Sequence, residues 1–430
     1  VCTVKKLQTT LDKITTLISA ILCAAMMVIL FANVVLRLIP GIGGFKWYME
    51  SSQYLNVWSM LIACIGINAM GTNLRVEVVD SILGKTPLGK NIAMSLGLSA
   101  MGGILFLGGG STVTIAQRMF EGMNSFALLA IPLYTFAGFT MSKGGISKRL
   151  MDFCYSIVGH IYGGLAHVNV LSSMIFAGIS GSAVADTAGV SGMFMPEMVR
   201  KGYSKNFTVA VTAISSTIGI IIPPSIPMVV IAGICGISTG KLFLGGIIPG
   251  VLCGLAQMIV SYFMAKKEGV PKEPGHFTIG PVLHGLWESW PALLMPIIIV
   301  GTITMGIVSP TEAGVIAVVY GLFAGGIIYR ELKWEDIKFA FAETVRTSGR
   351  IFIVIGAAKL YTVMLTTAGF DKWVAKTMLG FSTNPTVILI VILLIFFIVT
   401  MFMESIATLT LFMPCLLYTS DAADEEDSVD

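Results

Sequence analysis

Chemistry in this chain concentrates in two short stretches. The first is Gly178-Ile179-Ser180-Gly181-Ser182-Ala183-Val184-Ala185-Asp186-Thr187-Ala188-Gly189, and the second is Ile222-Pro223-Pro224-Ser225-Ile226-Pro227. Both place glycine, proline and hydroxyls, and the first also a carboxylate, inside sequence greasy enough for a bilayer. In hydrocarbon every backbone N–H and C=O needs an internal partner, so a broken helix is tolerated only where protein buries it or it lines a watery cavity. Carbonyls freed at such a break can ligate a small cation, and helix N-termini with hydroxyls can face an anion. Small residues also let helices pack closely in membranes. Asp186 favours a site over mere packing, because a carboxylate at membrane depth is costly and is retained for function.

The elements that must position these residues are membrane helices. Of 430 residues, 55% are hydrophobic and 12% charged, about half the charged share of a soluble domain. Mean hydropathy is +0.87. The chain therefore reads as all-α and polytopic in the lipid bilayer. A net charge of +3, scattered over loops, excludes a nucleic-acid-binding role. The seven cysteines have no paired spacing and the four histidines no metal-ligand spacing, so neither a disulfide framework nor a cofactor or metal cluster is expected.

Spans are expected at 14–36, 54–70, 92–107, 126–141, 153–176, 241–264, 290–308, 313–329, 350–367 and 387–403, with 266–287 and 330–346 as the soluble-looking connectors. Lys5, Lys6 and Lys13 precede the first span and Arg75, Lys85 and Lys90 follow the second, which places the N-terminus in the cytoplasm. The first run is too long for a signal-peptide core and should persist as an anchor.

An internal repeat runs through this order. Leu133-Tyr134-Thr135 recurs as Leu360-Tyr361-Thr362, and Gly145-Ile146-Ser147-Lys148 pairs with Gly369-Phe370-Asp371-Lys372. Asp186, ten residues before Pro196, pairs with Glu404, ten before Pro414. Two half-sites related by a pseudo-twofold axis are a common way to hold a solute near the midplane. The repeat demands a second Pro-Pro break near position 441, past the last residue. The ending Cys415 to Asp430 turns abruptly acidic and reads either as a disordered acidic tail or as a non-native sequencing-adapter translation following Pro414. A native reading frame at the source locus that contains this ending would rule out the second reading.

With Ser125-Phe126-Ala127-Leu128-Leu129-Ala130-Ile131-Pro132-Leu133, Leu242-Phe243-Leu244-Gly245-Gly246-Ile247-Ile248-Pro249-Gly250 and Ser309-Pro310-Thr311-Glu312-Ala313, the two stretches resemble the large membrane subunit of tripartite ATP-independent periplasmic (TRAP) transporters. The likeness covers about 91–414. Residues 1–90, with Trp47-Tyr48-Met49-Glu50 and Tyr54-Leu55-Asn56-Val57-Trp58, resemble the small membrane subunit, in two spans rather than four. The resemblance implies a fused, shortened, elevator-type secondary carrier with re-entrant hairpins in the bacterial inner membrane. It further implies sodium-coupled uptake of an organic acid, such as a C4-dicarboxylate or sialic acid, delivered by a periplasmic binding protein. With one complete half-site, a chain of this length is expected to lack transport.

The site expected on this basis is a sodium ion held by Ser180, Gly181 and Ser182 with Pro223, Pro224 and Ser225, since hard cations take oxygen ligands. Asp186 is either a ligand or a holder of its hairpin, and Glu404 is its counterpart. Glu312 is expected to cap a helix, Asn169 to bond between helices, and Arg350 to attract an anion or to snorkel. Two rival readings are a rhomboid-like intramembrane serine protease, because Gly178-Ile179-Ser180-Gly181 fits Gly-x-Ser-Gly and would need a histidine base, and a passive channel.

Overall fold

The computed structural model describes residues 2–38, 48–70, 101–102, 112–270, 278–369, 385–400, 406, 408–410 and 412–413. The expected span at 92–107, residues 39–47 and 71–100, Glu404 and the segment from Pro414 onward lie largely or wholly outside them. Among the described residues every regular element is helical: an all-α, polytopic membrane protein. Two helices come first, α1 (Cys2–Leu38) and α2 (Tyr48–Met70). Next are α3 (Thr112–Met123), a 3-10 turn (Ala127–Leu129), α4 (Ala130–Lys143) and α5 (Ile146–Val158). Then follow α6 (Gly164–Ser180), α7 (Ala183–Arg200), α8 (Lys205–Ser216) with a 3-10 turn (Thr217–Ile220), α9 (Ile226–Cys235) and α10 (Thr239–Lys267). The chain continues through α11 (Ile279–Thr304), α12 (Pro310–Phe323) with a π-helical end (Ala324–Ile328), α13 (Trp334–Thr367) and α14 (Pro385–Thr400).

Five of the described helices are long and apolar enough to cross a bilayer, or six if the bent pair at 113–143 is one span. Four expectations need correction; one is the connector 266–287, whose last nine residues already belong to α11 (Ile279–Thr304). Residues 153–176 are not one helix. Residues 159–163 form a turn ending at Gly163, whose φ of 75° separates α5 from α6, a break that an unbroken apolar run hides. The span starting at 126 is preceded by α3 at a 64° bend. The connector 330–346 is mostly helix, because Glu335 and Asp336 occupy the first turn of α13, where carboxylates meet unpaired N–H groups and the positive end of the dipole. The Lys333 N–H donates to Asp336 Oδ2 at 3.1 Å.

At the centre stands α4, buried along almost its whole length, between α12 and α13. Lipid is as apolar as leucine, so close van der Waals approach and polar bonds hold such helices together. Small residues make that approach. A Cβ on Gly314 of α12 would lie 2.9 Å from Leu133, one on Gly321 3.1 Å from Met141, and one on Gly325 3.2 Å from Gly144. Hydroxyls supply the bonds. Tyr134 donates to the Pro310 carbonyl at 2.7 Å, Thr311 to that of Phe126 at 3.1 Å, and Tyr320 to that of Pro291 at 2.7 Å. Glu312 completes a capping box with Ser309 at the head of α12, the capping role expected of it.

The repeat-paired positions share local geometry. Leu133-Tyr134-Thr135 and Leu360-Tyr361-Thr362 lie in α4 and α13, and each threonine hydroxyl bonds back four residues, to Ile131 and Ala358. Gly145 and Gly369 each sit two residues beyond those helices, with φ of 79° and 69°. Residues 370–372, and with them the rest of the second copy's turn, lie outside the described residues.

Gly314→Leu should therefore lower the thermal unfolding midpoint in detergent, at a cost of about 1–3 kcal/mol for overpacking. Gly245→Ala is the control, since a Cβ there meets nothing within 4 Å, and its midpoint should hold or rise.

Candidate functional site

The two breaks expected to bind sodium are joined by a backbone hydrogen bond. Helix α6 ends at Gly181, whose left-handed φ of 61° turns the chain back into α7. The Gly181 carbonyl accepts the Ile226 N–H at 3.0 Å, so the tip of the α6–α7 hairpin is hydrogen-bonded to the start of α9. That start follows the cis Pro223-Pro224 bond. A Cβ on Gly181 would sit 2.6 Å from the Pro224 carbonyl oxygen, and one on Gly178 would sit 3.6 Å from that of Pro223. Only glycine permits both the turn and the approach.

Three other elements close the hub. Gly138 of α4 lies against Ser180, Gly219 of the 3-10 turn against Ser182, and Pro296 of α11 against Gly178. Sequence reasoning missed all of them. Gly138 and Gly219 carry no local signal, since their role shows only when a neighbouring backbone is within reach.

The Ser180 hydroxyl is buried and meets the Ser182 backbone, 3.5 Å to the carbonyl and 3.4 Å to the N–H. Ser225 is buried too, but its hydroxyl already has work: it donates to the Ile220 carbonyl at 2.6 Å and accepts the Met228 N–H at 3.4 Å as the cap of α9. Two helical segments end at the hub, α6 and the 3-10 turn, and two begin, α7 and α9. Carbonyl ends present partial negative charge and N–H ends partial positive charge, so the hub suits a cation and an anion side by side.

Asp186 is fully buried, and its backbone N–H donates to the Ser182 carbonyl at 2.9 Å, while neither carboxylate oxygen has a hydrogen-bond partner among the described residues. Asn169 does bond between helices, donating to Thr212 of α8 at 2.8 Å. Arg350 lies in α13, half-buried, with a buried Nε that no described group accepts. A serine-histidine dyad is not formed among the described residues: His167 precedes Ser180 by thirteen positions on the same helix, about 20 Å, and its Nε2 lies 3.2 Å from the Tyr162 carbonyl.

Comparison with known proteins then decides the family. Residues 81–424 match the family described as "Tripartite ATP-independent periplasmic transporter, DctM component". The chain belongs to this family. It is a transport protein, a TRAP permease, and not an enzyme. It is 37% identical over 330 residues to the isethionate TRAP transporter permease protein DctMQ of Oleidesulfovibrio alaskensis, covering 77% of this chain and 52% of that relative. The chain thus spans about half the length of that protein. It is 36% identical over 307 residues to the sialic acid TRAP transporter large permease protein SiaM of Vibrio cholerae, covering 71% and 72% of the two chains. A C4-dicarboxylate TRAP transporter large permease protein, DctM of Pseudomonas aeruginosa, is 36% identical over 320 residues, or 74% and 75%.

Gly181→Ala should cost about 1–3 kcal/mol, read as a lower unfolding midpoint in detergent. Gly236→Ala, with a similar φ of 66° but nothing within 4 Å of its Cβ, should cost less. Equal losses would show that the hub contact contributes nothing.

Proposed function

We propose that this TRAP permease is a sodium-coupled secondary carrier that takes up an organic acid, a C4-dicarboxylate or a sialic-acid-like anion, from a periplasmic binding protein. The observation that carries this is the Gly181–Ile226 bond, which joins two helix breaks at bilayer depth. In our reading Na+ lies among the oxygens of Ser180, Gly181, Ser182, Pro223, Pro224 and Ser225, while the N-termini of α7 and α9 face the anion. Asp186 serves as a ligand or as a holder of the hairpin, supported by the bond from its N–H to the Ser182 carbonyl. Glu404 takes the corresponding place in a second half, on the strength of the repeat alone. The relatives' names support the substrate class: one handles sialic acid and another C4-dicarboxylates.

The orientation we propose puts the N-terminus in the cytoplasm. Lys143, Lys148, Arg149, Arg200, Lys201, Lys205, Lys266, Lys267, Arg330 and Lys333 lie at or near helix ends, and three contacts tie those ends together. Arg149 pairs with Glu331 at 2.8 Å, Lys201 reaches the Tyr155 hydroxyl at 3.4 Å, and Ser204 bonds Glu268 at 3.0 Å. Basic loops stay inside. Tyr48 stacks edge-on with Phe126, 6.2 Å between centroids, at the end of α4 opposite Lys143. The end of α1 adjoining Tyr48 in sequence is therefore outer, and its lysine-bearing start inner.

In proteoliposomes of the full-length carrier, supplied with its binding protein, uptake should vanish when choline replaces sodium. Ser180→Ala should raise the sodium concentration for half-maximal uptake about tenfold, equivalent to ~1.4 kcal/mol of binding. Uptake indifferent to sodium would refute the coupling, and an unchanged half-saturation would refute the hub as its site.

A further inference from the structure

Arg149, at the start of α5, joins three other segments through its side chain and its backbone. Its Nη2 pairs with Glu331 Oε1 at 2.8 Å, its Nη1 donates to the Gly145 carbonyl at 2.9 Å, and its guanidinium carbon lies 4.1 Å from the centre of the Tyr329 ring. Its own carbonyl accepts the Ser289 hydroxyl of α11 at 2.9 Å, and Tyr329 donates to the adjoining Glu288 carbonyl at 3.0 Å. A guanidinium suits this junction better than an ammonium, because it offers several N–H groups at fixed angles and a flat face for a ring.

The backbone leaves its usual paths to build the junction. Helix α12 ends in a π-helical turn, Ala324–Ile328, a rare form that recurs at functional places. Arg330 then takes a φ of 54°, in the left-handed region that residues other than glycine seldom enter. Glu331 and Leu332 both donate to the Gly325 carbonyl at 3.1 Å, which folds the chain back on itself. A Cβ on Gly145 would collide with the Glu331 carboxylate. Strain of this kind persists where the surrounding structure enforces it, and it gathers at switches and binding sites.

What the junction holds in place lies further along two of its helices. Gly138, six residues before Gly144 and about 9 Å along α4, packs on Ser180. Pro296, seven residues after Ser289 and about 10 Å along α11, packs on Gly178. Two walls of the hub are thus tied together through one arginine. We propose that Arg149 is a positioning residue for the hub: by holding the end of α4 to α11 and to the end of α12, it sets the gap into which the tip of α6 fits. Its bearing on transport rests on the sodium reading above, whereas its bearing on the Gly181–Ile226 bond does not.

Hydrogen exchange of the purified chain in sodium-free lipid bilayers tests this. Proline carries no N–H, so in 223–228 only Ser225, Ile226 and Met228 have amides, and the stretch reports the Ile226–Gly181 bond with little else. Arg149→Ala should speed exchange there about fivefold, the scale of one half-exposed ion pair and one ring contact. Glu331→Gln should do so by a smaller factor, and it carries the same comparison should Arg149→Ala not fold. Arg200→Ala, which breaks the exposed Arg200–Glu197 pair, should leave the stretch unchanged. Faster exchange confined to 144–150 and 325–333 would overturn the proposal, and so would an equal rise throughout the chain. In uptake by the full-length carrier, Arg149→Ala should raise the half-saturating sodium concentration by a similar factor; a lower maximal rate with unchanged half-saturation would overturn the positioning role. Wild-type exchange at 223–228 that sodium fails to slow would count against the sodium site instead, and the Arg149 effect would still stand.

Discussion

The structure depends on the rule that backbone polar groups at bilayer depth must be paired. Where α6 and α9 are interrupted, that rule is met by a bond across the break, Ile226 N–H to Gly181 carbonyl. Much else serves to make that bond possible. Gly181 supplies the turn, the Pro223-Pro224 unit brings its carbonyls alongside, Ser225 caps α9, and Gly138, Gly219 and Pro296 bring three further elements within van der Waals distance. The hub is a packed crossing at which two helical segments end and two begin.

The polar groups in this protein divide by task. The aromatic hydroxyls of Tyr134 and Tyr320 hold helices to one another through single carbonyl bonds. Serine and threonine at helix ends cap, as Ser204, Ser225, Ser238 and Ser309 do. Asn169, Ser173, Thr212 and Ser215 form a buried set that ties α6 to α8 through side-chain bonds.

Much of this was legible in the residues. Hydropathy located α1, α2, α10 and α12 closely, because an uninterrupted apolar run in lipid has no alternative to helix. The two breaks were visible as clusters of glycine, proline and serine, and Glu312 as a cap from the Ser-Pro-Thr-Glu pattern. The split of α5 from α6 was not visible, since Gly163 sits in a greasy stretch and its left-handed φ leaves no trace in composition. Nor was the place of Asp186 legible. Spacing left it either a ligand or a holder of its hairpin; in the structure its N–H bonds the Ser182 carbonyl while its carboxylate has no hydrogen-bond partner among the described residues. The partners of a re-entrant hairpin are set by tertiary register, which spacing along one strand of the hairpin does not report.

On the proposed coupling, the two breaks together grip a sodium ion. A high-resolution cryo-EM map of the protein in sodium, compared with one in choline, tests it most directly. The claim predicts density between the Ser180–Ser182 tip and the Pro223–Ser225 turn, ringed by oxygens at about 2.3–2.6 Å if coordination resembles that of other hard cations, and present only in sodium. A hub that is well resolved yet empty in both salts, or an ion bound in sodium away from both breaks, would contradict it.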